Sequence, residues 1–262
     1  MKYLLKITHL FILSILVCMS ASVVAADLTR EQVVEMLNNA KPGETVNLRR
    51  KNLSGVDLSE LDFQHADLWG ADLRGANLSH SNLSGLVLDL TVMTATNLEG
   101  ANLSKVSIFA VSMMRSNLKG VNFSNSRVIA NLSNSDLSHA NLSNVKWGAD
   151  MKNQPMGLMN TNLKKVKLVG ANLSGADLGR AMLMFADLTD ANLENASLHS
   201  VDLRSANLTG ANLSNADFSD SRMNDAILNK ANVNKTIFKR IKGKETLQGL
   251  NKAKNFNTAL FE

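Results

Sequence analysis

The 262-residue sequence predicts an all-β solenoid of five-residue units with short helical caps. Three observations predict it. First, every fifth residue from Leu48 to Val128 is large and apolar, 17 positions in a row. Leu132, Leu137, Leu142 and Trp147 follow after a one-residue slip, and 16 more run from Leu163 to Phe238, so 37 positions carry no polar residue. Second, the residue two before each of these is mostly small, as at Ala66, Ala71, Ala76, Ala171 and Ala211. Third, the residue between them is Asp or Asn in 25 of the 37, and the two that follow are often Ser, Gly or Asn. In extended chain, residues two apart share a face, so the large and the small residue point inward together and the Asp or Asn points out. The small polar residues after them suit a turn. A period of five does not fit a helix of about 3.6 residues per turn. One such unit cannot bury its own Leu, but a stack of units can.

The elements follow in chain order. Residues 1–26 read as a secretory leader: Lys2 and Lys6, an apolar run from Leu10 to Val17 broken only by Ser14, and a small-residue end at Val24-Ala25-Ala26. The run is short of the roughly 20 residues of a membrane span. Cleavage is expected after Ala26, giving a periplasmic or secreted chain with no stable membrane insertion. It would remove Cys18, the only cysteine, and with it any thiolate metal site or disulfide. Loss of Lys2 and Lys6 takes the net charge from +5 to +3. Residues 27–45 form the N-terminal cap. Asp27 to Ala40 reads as an amphipathic helix with Thr29 as N-cap, Gln32 three residues on, an apolar face of Val33, Val34, Met36 and Leu37, and a stop at Pro42-Gly43. Residues 46–147 carry the first block of repeats.

Residues 148–162 break the phase, contain Pro155 and carry Met151, Met156, Leu158 and Met159. This stretch is expected to leave the rod as a loop, and such loops often carry function. Residues 163–240 resume the repeat. Residues 241–262 form the C-terminal cap, with a short helix expected over 245–253 and Phe256 and Phe261 closing the last coil. Lys and Arg outnumber acids seven to two over 235–262, a net of +5, which leaves −2 over 27–234. The body is nearly neutral and the tail basic.

The motif A-(D/N)-L-S-G, as in Ala76-Asn77-Leu78-Ser79 and Ala171-Asn172-Leu173-Ser174-Gly175, resembles the pentapeptide-repeat family, over residues 46–147 and 161–238. The resemblance implies a right-handed quadrilateral β-helix with four pentads per coil. The 37 pentads then make about nine coils, and stacking at ~4.8 Å gives a rod of ~45 Å. Some members of the family mimic a DNA duplex and protect DNA gyrase, using a strongly acidic surface. The near-neutral body and the leader run against that role.

No catalytic constellation stands out. His65 falls on a different side from His80, and His139 shares the side of His80 but lies three coils away, roughly 14 Å. The Asp residues sit at the repeat's own outward position, so carboxylate pairs reflect the motif. No phosphate-binding glycine loop is present, and the basic tail lacks the exposed aromatics of a nucleic-acid surface. The reading is therefore a non-catalytic chain with no cofactor, no metal and no nucleic-acid partner. An enzyme would need a site at the 148–162 loop.

Four pentads per coil gather the exceptions to the motif. On the side of Leu48, Leu68, Leu88, Ile108 and Val128, the outward positions include Trp69, Val87, Leu90, Phe109 and Ile129. On the next side they include Val92 and Met114. The other two sides of this segment are polar. A contiguous apolar patch on a soluble rod marks an interaction site, with aromatic residues as anchors. These seven residues are the expected protein-binding surface, for another protein or for a second copy, with Trp69 and Phe109 as anchors. A second apolar group, Met182, Met184 and Phe185, surrounds Leu183.

Overall fold

The computed structural model describes residues 25–149 and 160–261. Nearly all of the leader and the methionines of the expected loop lie outside the described residues. The chain winds as a four-sided parallel β-helix. Bridges join positions 20 residues apart on successive coils, as in Asn52 to Asp72, Asp57 to Asn77 and Asp62 to Asn82. The regular strands are few: β1 (Val46–Asn47) pairs with β2 (Ala66–Asp67), and β3 (Ser107–Ser112) with β4 (Arg127–Asn131). Elsewhere each side contributes one bridge, because a turn follows every short extended piece. All 37 central apolar residues are buried, from Leu48 to Phe238. Leu48, Leu68, Leu88, Ile108, Val128, Trp147, Leu178, Leu198 and Phe218 open nine successive coils of pentads.

Each outward Asn or Asp has a structural task that explains its frequency. Its Oδ1 accepts from the backbone N–H two residues on, as Asn52 does from Ser54 and Asp187 from Thr189, closing an Asx turn. On the fourth side the amides also bond up the stack. Asn102 donates to Asn82 at 3.2 Å, Asn122 to Asn102 at 3.3 Å and Asn141 to Asn122 at 3.1 Å. Above the insert Asn212 donates to Asn192 at 3.1 Å and Asn232 to Asn212 at 3.2 Å. Where Ser or Thr replaces the small inward Ala, the buried hydroxyl often donates to a backbone carbonyl, that of Thr96 to Leu73 and of Ser116 to Met93 in the coil below, and that of Ser81 to Leu78 and of Thr91 to Leu88 in their own coil.

The break in phase has two parts. Val128 to Leu132 spans four residues, so β4 crosses its corner without the left-handed bulge residue that β3 has there at Ala110, φ 57°. Then Trp147 and Leu163 stand 16 apart, eleven more than a pentad. The coil above resumes in line, since Lys146 bridges Asp177 and Asn131 bridges Asn162. The eleven extra residues therefore fall, along the chain, between the first and second sides. They also place Leu183, with Met182 and Met184, on the second side, in line with Met113; Phe185 is 53% exposed at the next corner.

Both ends are covered. Helix α1 (Arg30–Asn39) starts at the capping box of Thr29 and Gln32, buries Val33 and rests Met36 and Leu37 on the first coil. Arg30 donates to the carbonyls of Asp57 and Ser59, which ties the helix to that coil. At the other end the expected helix over 245–253 is replaced by three 3-10 turns, Lys244–Thr246, Leu250–Lys252 and Phe256–Thr258. Units of six residues continue the winding here, each entered through a left-handed residue, Gly243, Gly249 or Asn255. Phe261 stacks on Phe238 at 5.6 Å, and Phe238 on Phe218 at 5.5 Å, while Phe256 covers the edge at 42% exposure. No helix among the described residues is long and apolar enough to cross a membrane.

Candidate protein-binding surface

The expected surface divides into three groups. Val87, Leu90 and Phe109 are open to solvent at 53%, 48% and 36%. Leu90 and Phe109 stand at the corner between the first and second sides, where the Leu90 N–H donates to the Phe109 carbonyl, and Val87 lies on the adjoining face of the first side, at the ladder position that bridges Ser107. The Phe109 N–H is taken by Asp89 at 2.9 Å, which fixes the backbone that presents the ring. Val92 and Met114, on the second side, are half-buried and border this group.

Trp69 is also half-buried, and its ring is not a free apolar anchor. The Arg49 and Arg50 guanidiniums lie 4.6 and 4.9 Å from its ring. Arg49 also bonds Asp67 at 2.8 Å, and Asp67 accepts the Trp69 N–H. Burial opposes charge on Asp67, but these two bonds hold its carboxyl below the usual range. Trp69 thus belongs to a charged knot at the patch's lower edge.

Ile129 corrects the sequence reading: it is buried, at 4% exposure, with Val128 and Ala130 beside it. Two features bury it. The four-residue spacing removes a turn residue, so β4 stays extended where the corner would swing Ile129 outward. The next coil also closes tightly over it: Thr161 donates to the carbonyls of Val128 and Trp147, and the Asn162 N–H to that of Ala130. The patch ends at this point. A shallow trough of about 400 Å³, lined by Ala110, Val111, Ile129, Ala130 and Asn160, marks its edge.

Other candidates resolve simply. His80 and His139 share a corner three coils apart, each covering a glycine of the coil above, Gly100 or Gly170. Among the described residues no three His, Cys, Asp or Glu side chains are grouped to hold a metal ion. A feature that the sequence reading missed lies on the second and third sides, where Arg115, Lys119, Lys165 and Lys167 surround Asp136. Its members are 19 and 31 residues apart from coil to coil, so they align only once the short pentad and the insert are both counted.

A family model of pentapeptide repeats matches in eight copies, over residues 46–75, 71–108, 130–146, 158–199 and 202–240. No curated protein matches the chain. Among solved structures, HetL of the cyanobacterium Nostoc sp. strain PCC 7120, a protein involved in heterocyst differentiation regulation, is 26% identical. That match covers 86% of this chain and 96% of HetL, with a TM-score of 0.35. QnrB1, a plasmid-mediated fluoroquinolone resistance protein, is 18% identical over 78% of this chain and 84% of its own, with a TM-score of 0.41. Rfr23 of the cyanobacterium Cyanothece 51142 is 23% identical over 50% and 91%, with a TM-score of 0.36.

Proposed function

The chain belongs to the pentapeptide-repeat family, and from that premise we propose that it is a non-catalytic, exported binding protein that associates with protein through the apolar corner at Val87, Leu90 and Phe109. One observation carries the reading: three large apolar side chains stand exposed together on a rod whose outward positions are otherwise mostly Asn, Asp and Ser. A stiff rod loses little conformational freedom on docking, which favours association through a small patch. The half-buried Val92 and Met114 extend the apolar area, and the Arg49–Trp69 knot supplies a polar rim. The outward carboxylates and amides are committed to turns and ladders, which supports a structural and not a catalytic use of them. Export rests on the leader at 1–26; N-terminal sequencing of the secreted or periplasmic material should begin at Asp27.

The test is light scattering and partner retention for the mature chain beside a Leu90→Asn/Phe109→Ser variant. Both substitutions are at exposed positions, so the variant should melt within about 2 °C of the parent. Self-association or partner retention by the parent, lost in a variant of equal stability, is the expected result. A variant that melts far lower would make the patch part of the internal packing and end this reading.

A further inference from the structure

We propose that the cleft bounded by Arg115, Lys119, Lys165 and Lys167 is a binding site for a compact phosphate-type oxyanion, independent of the apolar corner. The four cations surround one carboxylate, Asp136, in a cleft of about 320 Å³ across three coils. Their sum is +3 in a body, residues 27–234, whose total is −2, so everything else in that body sums to −5. Lys167 is the one cation in the outward ladder of the third side, where its neighbours are Asn117, Asp136, Asp187 and Asn207.

The geometry leaves donors unused. Lys119 and Lys167 approach the same Asp136 oxygen, each at 3.8 Å, which is beyond hydrogen-bond distance. The two ammoniums are therefore within about 7.6 Å of one another by simple addition, with a single negative charge between them. Asp136 in turn is occupied by the hydroxyl and the backbone N–H of Ser138. Among the described residues, neither Arg115 nor Lys165 has an ion-pair partner. Both stand at the corner residue of their turns, with φ of 58° and 57°. A planar guanidinium plus point-charge ammoniums, with Asp136 the one acid in the cleft's lining, suits an oxyanion with several acceptor oxygens.

The borders set the size of the ligand. One coil below, Glu99 accepts from Asn117. One coil above, Asp187 accepts from Thr189. Carboxylates thus close the cationic zone along the rod in both directions. A long polyanion lying along this side would meet them, whereas one phosphate group would not.

Inorganic phosphate is the probe, titrated calorimetrically into the full chain against chloride at equal ionic strength. A phosphate-specific Kd near or below about 1 mM is expected. An Arg115→Asn/Lys165→Asn variant should lose about tenfold or more in affinity. Its melting temperature in chloride should hold or rise, because Asn accepts a positive φ more readily than Arg or Lys. Asp136→Asn should tighten binding, since it removes the competing charge. Sedimentation with vesicles of phosphatidic acid, against phosphatidylcholine alone, distinguishes a membrane headgroup from a soluble phosphate ester as the natural source. Equal phosphate affinity in parent and double variant, or no preference for phosphate over chloride, would overturn the proposal while leaving the apolar-corner reading intact.

Discussion

At the scale of single residues the corners matter most. The last residue of nearly every pentad has a positive φ, yet most of these residues are not glycine: Leu90, Arg115, Lys165, Phe185 and Asp190 are examples. Such a backbone disfavours side chains with a Cβ by about 1–2 kcal/mol, with Asn and Asp less affected. Leu90→Asn should therefore hold or raise the melting temperature, and a thermal melt checks it. A clear drop would show that Leu90 packs more than its exposure implies. Gly170 is the opposite case. Its φ is 63°, and a Cβ there would stand 2.8 Å from His139 Nδ1. Gly170→Ala is expected to cost about 1–2 kcal/mol from the backbone, plus a clash term. Adding His139→Ala should recover only the clash, which a double-mutant cycle in denaturant separates. The corner position of both residues was legible from the five-residue spacing. The covering imidazole was not, because it belongs to a coil 31 residues away in sequence.

At the scale of elements, the amide ladder is the regular device and the caps are the irregular ones. Asn212 donates to Asn192, accepts from Asn232 at 3.2 Å and closes its own turn to Ser214. Asn212→Ala removes these three contacts and the bond that its Oδ1 accepts from the Ser214 hydroxyl at 2.7 Å. At roughly 0.5–1.5 kcal/mol net per bond, and with these groups half-exposed, a loss of about 1–3 kcal/mol follows. For a chain of this size that is a fall of roughly 2–4 °C per kcal/mol. Asn212→Asp keeps the acceptor and loses the donor, so it should melt between the parent and Asn212→Ala; melts of both variants equal to the parent's would mean that the ladder contributes nothing. The sequence made the N-terminal cap readable, since Thr29 and Gln32 form the box that their spacing announces. It misled at the other end. The helix expected over 245–253 is absent, and the six-residue step from Gly243 to Gly249 to Asn255 carries the true signal. A repeat that lengthens from five to six still closes the coil, because each extra residue is absorbed in a 3-10 turn.

At the scale of the whole molecule, the number of coils and the burial of every central residue follow from the repeat, because the period leaves no other way to cover 37 apolar side chains. The placement of charge across the insert does not follow so directly, since the short pentad and the eleven extra residues shift later positions by unrelated amounts. Electrostatics at this scale gives the last prediction. Asp72 is held below the usual carboxylate range chiefly by the Arg74 hydrogen bond, Asp220 by that of Arg240, and Asp57 by the Ser59 hydroxyl. For Asp67 and Asp136 burial acts in the opposite direction, but hydrogen bonds and nearby cations prevail. A carboxyl depressed in the folded state contributes stability that is fully present above its unfolded value of about 3.9 and is lost as pH falls through the folded one. Melting temperature should thus be flat from about pH 8 to 5 and decline below about 4. Salt should separate the causes. The Arg74 and Arg240 pairs are exposed and will be screened, whereas the Ser59 hydrogen bond to Asp57 is short-range and will not. In about 1 M salt the acid decline should become shallower without vanishing. A melting temperature unchanged between pH 6 and 2 would show that these pairs carry no stability, and that stacked apolar residues and backbone bridges hold the rod alone.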